Sequence, residues 1–110
     1  MPHCVIEYSK DLDQAKDLKA LCTALHDTLM ATELWQPSAI KVRAESFETY
    51  LAGGEVAPFI HVTTSLLEGR PLAKRQALSK SLLASVKAFA PEVPHISVEV
   101  REMNPETYSK

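Results

Sequence analysis

The sequence predicts a small α/β fold (α+β in stricter schemes), in which two βαβ units form one four-stranded mixed sheet with two helices on one face. Three observations carry that expectation. Strand, helix and strand patterns occur in that order twice. The two halves, 2–52 and 58–103, open on Pro2 and Pro58, with the glycine pair Gly53 and Gly54 between them. Each half also holds a helical stretch long enough to return the chain to a parallel neighbour, a crossover that is nearly always right-handed. A ferredoxin-like split βαβ arrangement has the same order of elements, and the string alone leaves both layouts open.

The first strand is His3 to Tyr8, a short β-branched and aromatic run just after a proline. Leu18, Leu21, Cys22, Leu25 and Leu29 then recur at the spacing of one helix face, with Asp11 or Asp13 placed to cap a helix from about Asp13 to Ala31. After Pro37, the stretch 39–51 alternates Ile40, Val42 and Ala44 against Lys41, Arg43 and Glu45, which describes a half-buried strand with one charged face. Phe59 to Leu67 reads as the third strand, closed by Glu68 and Gly69. Pro71 suits the first turn of the second helix, where its missing N–H has no intrahelical partner. Leu78, Leu82, Val86 and Phe89 supply the buried stripe of that helix, and Pro91 and Pro94 end it. The last strand is His95 to Met103, with Ile96, Val98 and Val100 alternating against Ser97, Glu99 and Arg101. The polar residues after Pro105 read as an arm or loose end.

A chain of 110 residues has room for one core, so a single domain over 1–110 is expected. Its 45% hydrophobic and 24% charged content excludes the polar bias of disorder. Twelve basic against fourteen acidic side chains give no general attraction for nucleic acid or an anionic membrane, so any anion site must be local. No apolar run approaches the ~20 residues of a membrane helix and the start lacks a signal-peptide pattern, which reads as cytoplasmic. Cys4 and Cys22 form no metal or redox spacing, and His3, His26, His61 and His95 are scattered singly, so no metal site is expected.

Chemistry enters at the start of the chain. Initiator methionine is removed when residue 2 is small, so Met1-Pro2 implies a mature chain that begins with a secondary amine. An α-amino group titrates near ~8, and burial or nearby cations bring it closer to the neutral pH at which a general base works best. The following strand would hold the ring in place. The plainer alternative is a proline that only opens an edge strand.

Four stretches, MPHCVIEYS, SAIKVRAE, FIHVTTSLLEGR and KRQALS, run in order over most of the chain, and through them the sequence resembles the 5-carboxymethyl-2-hydroxymuconate isomerase family of the tautomerase superfamily. That resemblance implies Pro2 as catalytic base, two βαβ units per subunit, and a homotrimer whose three sheets surround a central core with sites near subunit boundaries. It also implies the reaction, in aromatic-compound catabolism: a proton moves from the 2-hydroxyl of a muconate-type dienol polycarboxylate to a distant carbon, giving the conjugated 2-oxo acid. No cofactor is implied.

Carried over residue by residue, Arg70 stands where the family has an arginine after the third strand and is expected to grip a carboxylate of the small anionic substrate. Lys41 and Arg43 stand at the two arginines often found around the second strand. Arg43 fits, whereas Lys41 offers a point charge in place of a planar fork and leaves the substrate open. The alternative for this pair, which shares a strand face with Glu45, is a solvated charged face. Arg75 reads as structural, His3 and His61 as satisfied strand histidines, and Trp35 and Phe47 as core.

Other functions stay open at this stage: a tautomerase of another 2-oxo acid or of a phenylpyruvate-like enol, a hydrolytic relative using the proline as acid, or a non-enzymatic trimeric or ferredoxin-like interaction module. The acidic balance and the lack of paired strand aromatics argue against a nucleic-acid binder. The C-x-x-C of macrophage migration inhibitory factor is absent.

Overall fold

The computed structural model describes residues 1–110 and orders them as β1 (His3–Ser9), α1 (Leu12–Ala15), α2 (Leu18–Met30), β2 (Lys41–Phe47), β3 (Phe59–Leu67), α3 (Leu72–Phe89) and β4 (His95–Met103). The strands form one mixed sheet in the order β2-β1-β3-β4. β1 runs parallel to β2 and β3 to β4, while the central pair β1 and β3 is antiparallel. Each βαβ unit keeps its own strands side by side, so the split ferredoxin-like layout is excluded. These directions gather the starts of β1 and β2 and the ends of β3 and β4 at one end of the sheet, where His3 pairs with both Lys41 and Ser65, and Ser65 with Arg101.

One face of the sheet is the core face. Cys4, Ile6 and Tyr8 of β1 and Ile60, Val62, Thr64 and Leu66 of β3 point inward at every second residue. Leu21, Leu25 and Leu29 of α2 and Leu78, Leu82 and Val86 of α3 meet them at helical spacing. Leu21, Leu25, Leu29 and Leu82 are fully buried, and each such leucine contributes ~1.5–3 kcal/mol relative to an exposed one. Both helices lie on this face, α2 against α3 and β2, α3 against β4. Phe89 packs at the margin, half-buried. The opposite face carries largely polar rows such as Lys41–His3–Ser65–Arg101 and Arg43–Val5–Thr63–Glu99, covered by neither helix of the core face. No helix is long and apolar enough to cross a membrane.

The expected boundaries of β3 and β4 coincide with those observed. The helix expected from Asp13 to Ala31 is instead broken. α1 is a single turn that ends where Lys16 becomes extended, and the cap of α2 is Asp17 rather than Asp11 or Asp13. The Asp17 carboxylate accepts from the N–H groups of Lys19 at 3.1 Å and Ala20 at 3.3 Å, satisfying donors that have no intrahelical partner. Asp11 and Asp13 accept phenol hydrogen bonds instead, from Tyr50 at 3.1 Å and Tyr8 at 2.5 Å.

β2 stops at Phe47, short of the expected 51. Gly53 and Gly54, at φ +64° and +81°, then make a turn in the left-handed region that glycine adopts without a Cβ clash. Pro71 is the cap of α3, one residue before the first turn, its carbonyl accepting from Lys74 and Arg75.

The residues after β4 are not a loose arm. Asn104 Oδ1 accepts from the Glu106 N–H at 2.9 Å, and the Asn104 carbonyl accepts from Thr107 and Tyr108, both at 3.1 Å. The resulting turn folds the segment back onto the start of β1, where the Tyr108 ring packs edge-on against His3 with centroids 5.9 Å apart.

Candidate active site

Pro2 is fully buried, and its carbonyl accepts from the Lys41 N–H at 3.0 Å, so the β1–β2 ladder already holds it. Lacking an N–H, proline can open a strand without leaving a ladder donor unpaired. In the 110-residue chain Met1 acylates Pro2, and the free amine sits one residue further out. Burial first, then the charges of Lys41, Lys110 and Arg70, lower the pKa of that amine below its ordinary value of 8.0. Three cations from separate segments, the start of β2, the β3–α3 turn and the folded-back tail, therefore bear on the chain start.

Arg70 is the most firmly held of them. Its guanidinium lies over the Trp35 ring, 5.0 Å from the centroid, and Nη1 donates to the Leu67 carbonyl at 3.5 Å. Arg75 Nε donates to the Arg70 carbonyl at 3.2 Å while its own Nη1 meets Glu102 at 3.6 Å, so Arg75 is structural, as expected. Lys41 is exposed and its ammonium donates to the Ser38 carbonyl at 2.7 Å. Arg43 points along the same strand face but reaches His3, with Nη1 3.4 Å from Nδ1. The four ion pairs of the chain all use other residues, leaving Lys41, Arg43 and Arg70 without an acidic partner.

The remaining candidates are accounted for. His61 bonds Ser97 Oγ at 2.6 Å and His3 bonds the Tyr108 hydroxyl at 2.9 Å, so both are satisfied. Burial pushes the Cys4 thiol up to about 11, too high for a thiolate nucleophile near neutral pH. No three His, Cys, Asp or Glu side chains converge as metal ligands.

Trp35, read from the sequence as core, packs against the core and also props Arg70, whereas Tyr108 and Lys110, which the tail turn returns to the chain start, escape a sequence reading. Only Asn104-Pro105 signalled that turn, since asparagine then proline is a turn opening. None of the concavities of the single chain is lined by Pro2, Lys41 or Arg70. The site is an open surface at one end of the sheet.

The family model for 5-carboxymethyl-2-hydroxymuconate isomerase matches residues 2–110. A 5-carboxymethyl-2-hydroxymuconate Delta-isomerase of Escherichia coli is 29% identical over 112 residues, spanning 96% of this chain and 89% of the relative. Among solved structures, a 5-carboxymethyl-2-hydroxymuconate isomerase from Deinococcus radiodurans R1 superposes with a TM-score of 0.85 at 22% identity, covering 99% of this chain and 87% of that one. A fused 4-OT wild-type symmetric trimer superposes at 0.83 with 17% identity, covering 98% and 90%. At such identities the structures establish the shared fold.

Proposed function

The chain belongs to the 5-carboxymethyl-2-hydroxymuconate isomerase family, and from that premise we propose that Pro2, freed by removal of Met1, is the base that isomerises a dienol polycarboxylic acid of the 5-carboxymethyl-2-hydroxymuconate kind. The protein is an isomerase of tautomerase fold. One observation carries the finer reading: Lys41 and Arg70, cations without acidic partners, bear on the amine of Met1, the residue bonded to the buried Pro2. Substrate carboxylates take up Arg70 and Lys41. The neutral Pro2 nitrogen removes the 2-hydroxyl proton, the electron pair of the broken O–H bond becomes the 2-oxo bond, and the conjugated double bonds shift. The proline ammonium then delivers its proton to the far carbon of the diene, which regenerates the neutral amine. Negative charge that develops along the conjugated system is stabilised by the same cations in a partly dry site.

Lys41, where the family often has arginine, favours a second substrate class, a simpler 2-oxo acid or phenylpyruvate-like enol with fewer carboxylates. Ultraviolet traces with a hydroxymuconate tricarboxylate beside phenylpyruvate separate the two, since only the true substrate loses its enol band rapidly.

The pH profile tests the base. The neutral amine is the active form, so kcat/KM rises with pH through the ionisation of the Pro2 nitrogen, and a site that already lowers the pKa of the Met1 amine, by burial first and then by Lys41, Lys110 and Arg70, favours that neutral form. The profile is expected to be the same with and without a chelator. A profile that does not rise with pH, or activity that a chelator removes and zinc restores, overturns the proline mechanism.

A homotrimer is the second element of the proposal. Beyond the tail at His3, the largely polar face of the sheet has no helix over it in one chain, and cyclic association of three sheets supplies cover. A relative of the same fold is a symmetric trimer. Sedimentation at micromolar concentration is expected to give a species of three chains, and a monomer there overturns the shared site.

A further inference from the structure

We propose that Tyr108 is a further residue of the reaction site, its hydroxyl oriented by His3 to donate a hydrogen bond to an oxygen of the substrate beside Pro2. This rests on the proline-based reaction proposed above and adds to it a donor outside the cationic set. The tyrosine is fixed in three ways. The Asn104 turn sets its backbone, its ring packs edge-on against His3, and its hydroxyl lies 2.9 Å from His3 Nε2.

The direction of the hydroxyl follows from Arg43. A guanidinium only donates, so Arg43 Nη1, 3.4 Å from His3 Nδ1, requires that nitrogen to be the acceptor. The imidazole is then the neutral Nε2–H tautomer. Its Nε2–H donates to the Tyr108 oxygen, which leaves the phenol proton free to point elsewhere. Burial, then Arg43, the amino terminus and Lys41, lower the His3 pKa and keep the ring in the neutral form this requires.

The phenol proton has an acceptor. Tyr108 Oη donates to Met1 Sδ at 2.7 Å. Met1 is bonded to the Pro2 nitrogen, so its half-buried side chain marks a seat next to the atom that becomes the base. The sulfur stands in for a substrate oxygen. Once Met1 is removed, the seat empties, the phenol loses its acceptor, and the donor remains aimed at the space beside Pro2. The 2-oxygen gains negative charge as its proton passes to Pro2, and a donor already in place strengthens as that charge grows. Arg43 acts here through His3 and is a positioning residue, where the sequence suggested a direct carboxylate grip.

The test uses processed protein, verified by intact mass, with a hydroxymuconate tricarboxylate as substrate. Tyr108→Phe keeps the ring and its packing and removes only the hydroxyl. It is expected to lower kcat by roughly 10²-fold, the scale for losing one preorganised donor, with a smaller change in KM and unchanged thermal unfolding. Nitrogen-15 NMR of His3 is expected to show Nε2 protonated in the wild type. Protonation at Nδ1 would make Tyr108 the donor to His3 and overturn the inference whatever the kinetics. An active wild type with unchanged kcat/KM in Tyr108→Phe overturns it alone, whereas a wild type inactive on dienol acids overturns the proposed reaction first and this role with it.

Discussion

Protein that keeps Met1, or carries one added residue before Pro2, is expected to lose at least about 10²–10⁴-fold in kcat/KM while its fold and assembly persist. The proline nitrogen is then an amide, whose lone pair is delocalised into the carbonyl and has no usable basicity. A second loss comes from the Met1 side chain, which fills the seat beside Pro2 and takes the Tyr108 hydrogen bond. The bond from the Lys41 N–H to the Pro2 carbonyl does not involve the residue that precedes Pro2, so the sheet should be unaffected. Replacing Pro2 by alanine is milder, because a free amine survives, although it is primary and less confined. The measurement is turnover of a dienol acid by two preparations whose masses differ by one methionine. Equal rates would mean that Pro2 is not the base.

The parts of this molecule that were legible in its sequence are those with a period. β3 and β4 carry clean alternation between Pro58 and Glu68 and after Pro94, and their ends were found to the residue. The start of α2 was misplaced because three aspartates, Asp11, Asp13 and Asp17, compete for one cap and two of them are drawn off by Tyr50 and Tyr8. Those tyrosines reach them from a loop and from β1, contacts that no local pattern encodes. Lys41 and Arg43 were placed on the right face, since alternation dictates it. Which of them bears on the chain start and which turns to His3 is a matter of reach between two strands some forty residues apart in sequence. Trp35 and Tyr108 lie in irregular segments where a side chain has no period to read.

Arg70→Ala is expected to lower transition-state stabilisation by about 2–4 kcal/mol, or roughly 30- to 1000-fold in kcat/KM. The size follows from how the side chain is held. Its guanidinium rests on Trp35, bonds the Leu67 carbonyl, and leaves a backbone that Arg75 braces through Glu102. Little side-chain freedom then remains to be lost when a carboxylate binds, so the charge acts at nearly full strength where the substrate's negative charge develops. Lys41 is exposed, flexible and bonded only to the Ser38 carbonyl, so Lys41→Ala should cost less and act mainly on KM. Arg70→Lys separates charge from geometry: it keeps a cation but loses the planar fork and the stack on Trp35, and it should fall between wild type and Arg70→Ala. Steady-state kinetics of the three variants decide the matter. Equal and small effects of Arg70→Ala and Lys41→Ala would put the carboxylate pocket elsewhere, whereas a larger loss in Lys41→Ala would make the start of β2, not the β3–α3 turn, the principal anion grip.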